Sequence, residues 1–317
     1  MCGKDIRMIA KSTKAGFNPS VKRKKWWRSL IYLILFPVCF YAFIVVFLAW
    51  STVSPKPSKM RTNPGEYRMS YESVSFQSQD GTPLSSWYCA PEKPSAVIIL
   101  CHGVDSNRMG MMSKARLLYN AGFGVLMFDF RTRGESGGNL CTLGNLEVDD
   151  LLAAVRQVHS NPKSDALAIG VLGDSLGGAV AIMGAARESS ISAVVAESPF
   201  DRLDHAIVNH FSMVFGKASF VFCAPVTLVG EKLIGEKASS ISPSDEIDKI
   251  TPRPLLLIAD ADDRLCRKSE IVALFQRAGS GKELWTVPNA DHIQANEVAP
   301  AEYERRIVEF FRKSLRK

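Results

Sequence analysis

The sequence predicts an α/β fold: a mostly parallel, eight-stranded sheet with helices on both faces and an inserted helical cap, preceded by one transmembrane helix. Three observations predict it. From about residue 70 onward, short β-type runs alternate with helical patterns, which is how a parallel sheet covered on both sides is built. The middle β-type runs, Val97-Ile98-Ile99-Leu100, Val125-Leu126-Met127-Phe128 and Leu167-Ala168-Ile169, are apolar at consecutive positions, as strands buried on both faces must be. Near the start, residues 30–50 carry no charge and no strongly polar side chain, and about 20 such residues cross a bilayer core as a helix.

The apolar segment reads LIYLILFPVCFYAFIVVFLAW. A buried core helix is rarely apolar on every face for this length. A cleaved signal peptide has an apolar region of ~7–15 residues and a small-residue cleavage site. Here the run is longer, and Ala49-Trp50-Ser51 matches such a site poorly. An uncleaved signal anchor is therefore expected, kinked at Pro37, with Trp26, Trp27 and Trp50 at its edges, where indoles favour the interface. Lys22-Arg23-Lys24-Lys25 and Arg28 precede the span, whereas Lys56, Lys59 and Arg61 follow it. The denser positive side faces the cytoplasm. The expected order is a basic cytoplasmic tail (1–29), the anchor (30–50), a linker (51–69) with Pro55, Pro57 and Pro64, and a domain over 70–317 on the periplasmic, extracellular or lumenal side.

Net charge is +7, but its location matters. Residues 1–29 hold nine of the 39 Lys/Arg and one of the 32 Asp/Glu, leaving 30 bases against 31 acids elsewhere. The basic balance belongs to the tail, and with no zinc-finger spacing or repeat it points to no nucleic-acid partner. The seven cysteines, Cys2, Cys39, Cys89, Cys101, Cys141, Cys223 and Cys266, form no CxxC pattern. No metal site follows from them, and sequence alone pairs none of them in a disulfide. Cys101, in an apolar run, reads as a small core residue.

Along the domain, strands are expected at 72–77, 84–89, 96–101, 124–129, 167–172, 193–197, 254–259 and 283–287. The first two form an antiparallel hairpin around Asp80-Gly81. Helices are expected at 109–121, 145–160, 176–187, 268–278 and 301–314. Nearly sixty residues separate the sixth and seventh strands, too many for a plain loop. They read as the cap, about 199–250. Its apolar stretch 211–230 is interrupted by Lys217 and Pro225. Were it to span a membrane, Ser175 and His292 would lie on opposite sides, so it is read as a lid. Phe211, Met213, Val214, Phe215, Phe220, Val221 and Phe222 are its candidates for lining an acyl pocket.

Gly173-Asp174-Ser175-Leu176-Gly177 matches GxSxG between an apolar strand and a small-residue helix. That strand–turn–helix setting projects a serine hydroxyl off the sheet and puts the Leu176 N–H at a helix N-terminus, where a developing oxyanion is stabilised. A serine needs a base. Of the five histidines, His159 sits at a helix end, His205 and His210 fall in the lid, and His102 follows the third strand. His292 follows the last strand, in the loop edge where catalytic groups gather, and is the expected base. The acid should follow the seventh strand, where Asp260, Asp262 and Asp263 compete. The chain order is then Ser, acid, His.

These motifs, taken in order, give the stretch 70–317 a resemblance to the α/β-hydrolases, particularly the Bem46-like and serine-aminopeptidase-like branch, many of which carry an N-terminal membrane anchor. Leu100-Cys101-His102-Gly103 resembles the HG oxyanion motif, with Ser106-Asn107-Arg108 after it. Residues 129–136 are similar to its D-x-R-x-x-G-x-S turn, and Ser198-Pro199-Phe200 and Ser242-Pro243 to the segments that flank its cap. Its I-H-G-x-x-D pattern, laid on residues 258–263, implies Asp263 as the acid, although Ala259-Asp260 replaces H-G. Asn289-Ala290-Asp291-His292 stands where G-x-G-H is usual. The resemblance also implies the backbone N–H of Val104 as a second oxyanion donor, a loop-positioning role for His102 and a scaffold role for the 129–136 turn.

The expected activity is acyl transfer by Ser175, His292 and Asp263, cleaving a carboxylic ester, thioester or amide with no metal or cofactor. The favoured substrate is an acyl ester or lipid-like small molecule near a membrane. A peptidase or amidase of the serine-aminopeptidase type is the first alternative. A non-catalytic binding module on the same scaffold is the second.

Overall fold

The computed structural model describes residues 19–316 apart from 57, 163, 165 and 166. Most of the basic tail, Cys2 and Pro57 of the linker lie outside the described residues. The chain divides into two units, 1–45 and 46–317. In the first, helix α1 (Pro19–Val53) begins, and continues into the second. From Trp26 to Val53 it is long and apolar enough to cross a membrane, and most of its side chains from Trp26 onward within the first unit are exposed.

The second unit is built on one eight-stranded sheet. Its strands are β1 (Tyr71–Gln77), β2 (Pro83–Cys89), β3 (Val97–Cys101), β4 (Gly124–Phe128), β5 (Ile169–Asp174), β6 (Ile191–Glu197), β7 (Leu255–Asp260) and β8 (Lys282–Val287). They lie in the order β1-β2-β4-β3-β5-β6-β7-β8. β1 and β2 form the expected antiparallel edge, β2 also runs antiparallel to β4, and every other pair is parallel. Each expected strand is present, with ends displaced by at most two residues.

Alternation of side chains across the sheet assigns the strands to two apolar layers. Val97, Ile99, Val171, Val194 and Leu257 belong to one, with α3 (Asn145–Ser160), α4 (Leu176–Arg187) and α7 (Lys268–Arg277). Ile98, Leu100, Leu172, Val195 and Ile258 belong to the other, with α2 (Met112–Asn120), the short α8 (Ala295–Val298) and α9 (Pro300–Ser314). Continuous apolar strands follow directly: β3 and β4 are buried at every position.

The insertion between β6 and β7 is helical, as expected. It contains α5 (Leu203–Phe215) and α6 (Ser219–Ile234), joined by a single 3-10 turn, Gly216–Ala218. Pro225 sits inside α6 without ending it. Strand order reverses around β3 and β5, and open α/β sheets place their sites beyond the strand C-termini at such a point. That edge carries the loops after β3, β5, β7 and β8.

Candidate active site

The turn after β5 is forced by close backbone approach. A Cβ on Gly177 would run into the Cys101 carbonyl, and one on Gly173 into the Gly177 carbonyl. Glycine at both positions lets α4 start directly against β3 and β5. Between them Ser175 takes φ 55°, ψ −116°, a strained conformation typical of functional turns. Its N–H donates to Glu197 O at 2.9 Å, holding the turn against β6.

His292 Nε2 lies 2.9 Å from Ser175 Oγ, and His292 Nδ1 lies 2.7 Å from Asp263 Oδ2. A carboxylate only accepts, so Nδ1 carries the proton and Nε2 is free to accept the serine hydroxyl. The chain hydroxyl–imidazole–carboxylate is therefore continuous. Asp263 is buried, and its other oxygen, Oδ1, accepts the N–H groups of Leu265 and Cys266 at 2.8 and 2.9 Å. Those bonds fix the carboxylate within the loop between β7 and α7. The competing acids are placed elsewhere. Asp262 is exposed. Asp260 is fully buried, and Ser198 Oγ donates to its Oδ2 at 2.9 Å.

The loop after β3 covers Ser175: a Cβ on Gly103 would meet Ser175 Cβ at 3.6 Å. Leu176, whose N–H the turn motif singles out, and Val104, whose N–H the resemblance implies, both line the cleft at Ser175. His102 is buried behind them. Its Nε2 accepts the Phe130 N–H at 3.1 Å, so Nδ1 carries the proton and donates to Gly103 O at 2.7 Å. Burial depresses its pKa to about 4, which keeps the ring neutral and that tautomer fixed. The 129–136 turn is locked by Asp129, whose carboxylate accepts the N–H groups of Arg108 and Glu135 at 2.8 Å each and pairs with the Arg108 guanidinium. Arg131 pairs with Asp150.

Beneath the serine lies a charge cluster that sequence reasoning missed. Lys114 of α2, 4% exposed, bonds Asp174 Oδ1 at 2.5 Å and Glu197 Oε2 at 2.7 Å. Tyr303 of α9 donates to the same Glu197 oxygen at 3.0 Å. Two buried acids thus share one ammonium, and the buried Asp260 lies close enough to Glu197 to feel its charge. Burial pushes Asp174 up to about 6 against the opposing pull of Lys114. Burial and the nearby Glu197 charge push Asp260 up to about 7. For His292, burial alone would lower the pKa, but the Asp263 hydrogen bond and the charges of Asp263, Asp260 and Asp174 outweigh it and raise the imidazolium above its ordinary value.

The cleft has a volume of about 300 Å³. Its walls include Leu203, Ile207 and Phe211 of α5, Leu265 after β7, Arg133 of the 129–136 turn, and Ser51, Thr52 and Pro55 from the end of α1 and just beyond. His210, set aside with the lid, also lines it. Among the expected lid residues Phe211 faces the cleft, whereas Met213, Val214 and Phe220 are exposed to solvent. One cluster of metal-type donors is found among the described residues, Asp263, Cys266 and His292. Its carboxylate and imidazole are already bonded to each other.

A family model described as serine aminopeptidase, S33, matches residues 92–240. The protein bem46 of Schizosaccharomyces pombe is 27% identical over 252 residues, 77% of this chain and 79% of that one. An esterase of Pyrococcus furiosus, Pf2001, superposes with a TM-score of 0.69 at 27% identity, over 82% of this chain and 99% of the esterase. The chain has the α/β-hydrolase fold and is similar to the Bem46-like branch of that superfamily. The YqkD protein of Bacillus subtilis is another relative of this α/β-hydrolase, 27% identical over 232 residues, covering 73% of this chain and 75% of that one. The fold and the hydrolase class agree with what the motif order implied.

Proposed function

We propose that this hydrolase is a membrane-anchored serine esterase that cleaves a carboxylic ester or related acyl bond through an acyl-enzyme. The observation that carries the reading is the unbroken hydrogen-bond chain from Ser175 through His292 to Asp263 at the mouth of a mainly apolar cleft. Ser175 Oγ attacks the acyl carbonyl as its proton passes to His292 Nε2, while Asp263 holds the tautomer and stabilises the imidazolium. The N–H groups of Val104 and Leu176 receive the oxyanion. Collapse expels the alcohol, which takes the proton from His292. Water then enters by the same route and releases the acid, returning the proton to Ser175.

An ester is favoured over a peptide by the cleft walls. Leu203, Ile207, Phe211 and Leu265 suit an acyl chain, and the carboxylate at the rim, Asp105, is highly exposed rather than set to hold an ammonium. The esterase neighbour at 27% identity supports the same choice. Residues 30–50 serve as the anchor, residues 51–69 as the linker, and residues 70–317 as the catalytic domain, with the positive flank holding the N-terminus in the cytoplasm.

Labelling by a fluorophosphonate tests the chemistry. Wild type is expected to label stoichiometrically and Ser175→Ala not at all, with p-nitrophenyl esters turned over only by wild type. Folded wild type that neither labels nor turns over any ester of an acyl-length series would end the esterase reading. Protease protection of the C-terminal domain in sealed membranes tests its side; cleavage from the cytoplasmic face would reverse the orientation.

A further inference from the structure

The cap carries an apolar face that the hydrolase chemistry does not use. Val208, Met213 and Val214 of α5 and Phe220 and Leu228 of α6 are 44–79% exposed. The stretch from Leu203 to Ile234 has a mean hydropathy of 1.6 over its most apolar window. It cannot cross a bilayer, because both of its ends return to adjacent strands of one sheet, β6 and β7. An apolar hairpin tied at both ends to a soluble domain is suited to lie in a membrane interface.

The end of α1 says what covers this face. Within the second unit, Ala49 and Val53 are buried, and they line one narrow apolar seam with Leu203, Ile207 and Phe211 of α5 and Val226 and Ile234 of α6. Cys141 N–H donates to Val53 O at 2.7 Å and ties the helix end to the domain. If residues 30–50 cross the bilayer, its boundary falls at Trp50. Val53 follows three residues later on an unbroken helix, a rise of about 5 Å. The seam therefore starts at that boundary, with residues of α5 and α6 lining it. Lys217, exposed at the turn between α5 and α6, sets the depth. Its ammonium must stay at headgroup level while its stem and neighbours enter the acyl region.

We propose that the α5–α6 hairpin lies in the membrane interface and that the cleft takes the acyl chain of a bilayer-resident ester directly from that leaflet. The inference rests on the membrane-anchored hydrolase reading. α5 has the two faces this needs: Leu203, Ile207 and Phe211 turn to the cleft, and Val208 and Val214 turn outward. The acyl chain enters beside Ser51 and Thr52, where α1 leaves the bilayer, and reaches Ser175 without crossing water.

The test uses the full chain in phosphatidylcholine–phosphatidylglycerol vesicles, with photoreactive p-benzoylphenylalanine placed in turn at Phe220, Val214 and Glu92. Glu92 is exposed and precedes β3, at the opposite edge of the sheet from the site. Lipid adducts at 220 and 214 but not at 92 are expected. No lipid adduct at 220 or 214, or adducts to a second copy of the chain in their place, overturns the proposal. In the same vesicles, the double variant Val214→Asp/Phe220→Asp is expected to lose at least tenfold in kcat/KM on a long-chain ester, with p-nitrophenyl acetate hydrolysis unchanged. Unchanged long-chain turnover overturns it as well. Fluorophosphonate labelling reads the hydrolase separately. Lipid adducts without labelling would remove the esterase reading and keep the docking surface; labelling without adducts would remove the docking surface alone.

Discussion

Asp263 divides its carboxylate between two tasks: Oδ1 accepts the N–H groups of Leu265 and Cys266, and Oδ2 lies 2.7 Å from His292 Nδ1. This division dictates what an asparagine would do there. Two N–H donors at the Oδ1 position select the amide oxygen, so the amide NH₂ must face His292. His292 Nδ1 would then have to accept, leaving the proton on Nε2, where it cannot take one from Ser175. Asp263→Asn is therefore expected to lower kcat by about 10³–10⁴ with little change in KM. Asp262→Asn and Asp260→Asn should stay within about tenfold of wild type. Steady-state kinetics on a p-nitrophenyl ester decides, and the reverse order would move the acid.

The same geometry separates what was legible in the sequence from what was not. GxSxG and the final-strand histidine were readable because a sharp turn requires glycine and a strand C-terminus is where loops gather. The acid was not fixed by the residues alone: Asp260, Asp262 and Asp263 cluster at the end of one strand, and their roles depend on burial and on partners 29 or more residues away. Lys114 was hidden for a different reason. It lies on the apolar side of α2, three and four residues from the buried Met111 and Leu118, yet a charge there reads as a surface residue until its partners are known. Those partners, Asp174 and Glu197, end separate apolar strands. The 3-10 turn between α5 and α6 and the outward face of the cap were also illegible, because an apolar cap helix has the same composition whether its face meets a core, a substrate or a membrane.

The acid limb of kcat/KM should report His292. In the proposed mechanism activity requires the neutral imidazole, so it rises with pH through the pKa of His292 in the free enzyme. The Asp263 hydrogen bond and the surrounding acids raise that value above 6.5 in spite of burial. Asp260→Asn removes one of those acids. Its limb is expected to shift to lower pH, with the plateau rate nearly unchanged. A pH profile of the variant superposing on wild type would mean that Asp260 is already neutral where His292 titrates.

Asp260 should also shape stability against pH. Its folded pKa is raised to about 7 from 3.8, chiefly by burial, so between those values the folded state holds a proton that the unfolded state has released. Stability contributed at this site is therefore present below about pH 4 and lost as pH rises toward 7. Asp260→Asn cannot ionise. The variant is expected to match wild type near pH 4 and to exceed it at pH 8, by on the order of a few kcal/mol at most. Urea unfolding at both pH values measures this, and a variant less stable than wild type at pH 8 would contradict it.

The Lys114 cluster gives the largest expected loss of stability. Lys114→Met keeps the length of the side chain but leaves Asp174 and Glu197 buried without their ammonium. Breaking a buried pair from one side costs about 3–5 kcal/mol, which for a domain of this size lowers Tm by roughly 6–20 °C. The cost comes from the stranded acids rather than from the missing lysine. Lys114→Met/Asp174→Asn/Glu197→Gln should therefore recover most of the Tm, although Tyr303 and the Ala295 N–H then meet a weaker acceptor at residue 197. Thermal unfolding of the three proteins separates the two causes. A triple variant as unstable as Lys114→Met alone would place the loss in the packing of α2 rather than in uncompensated charge.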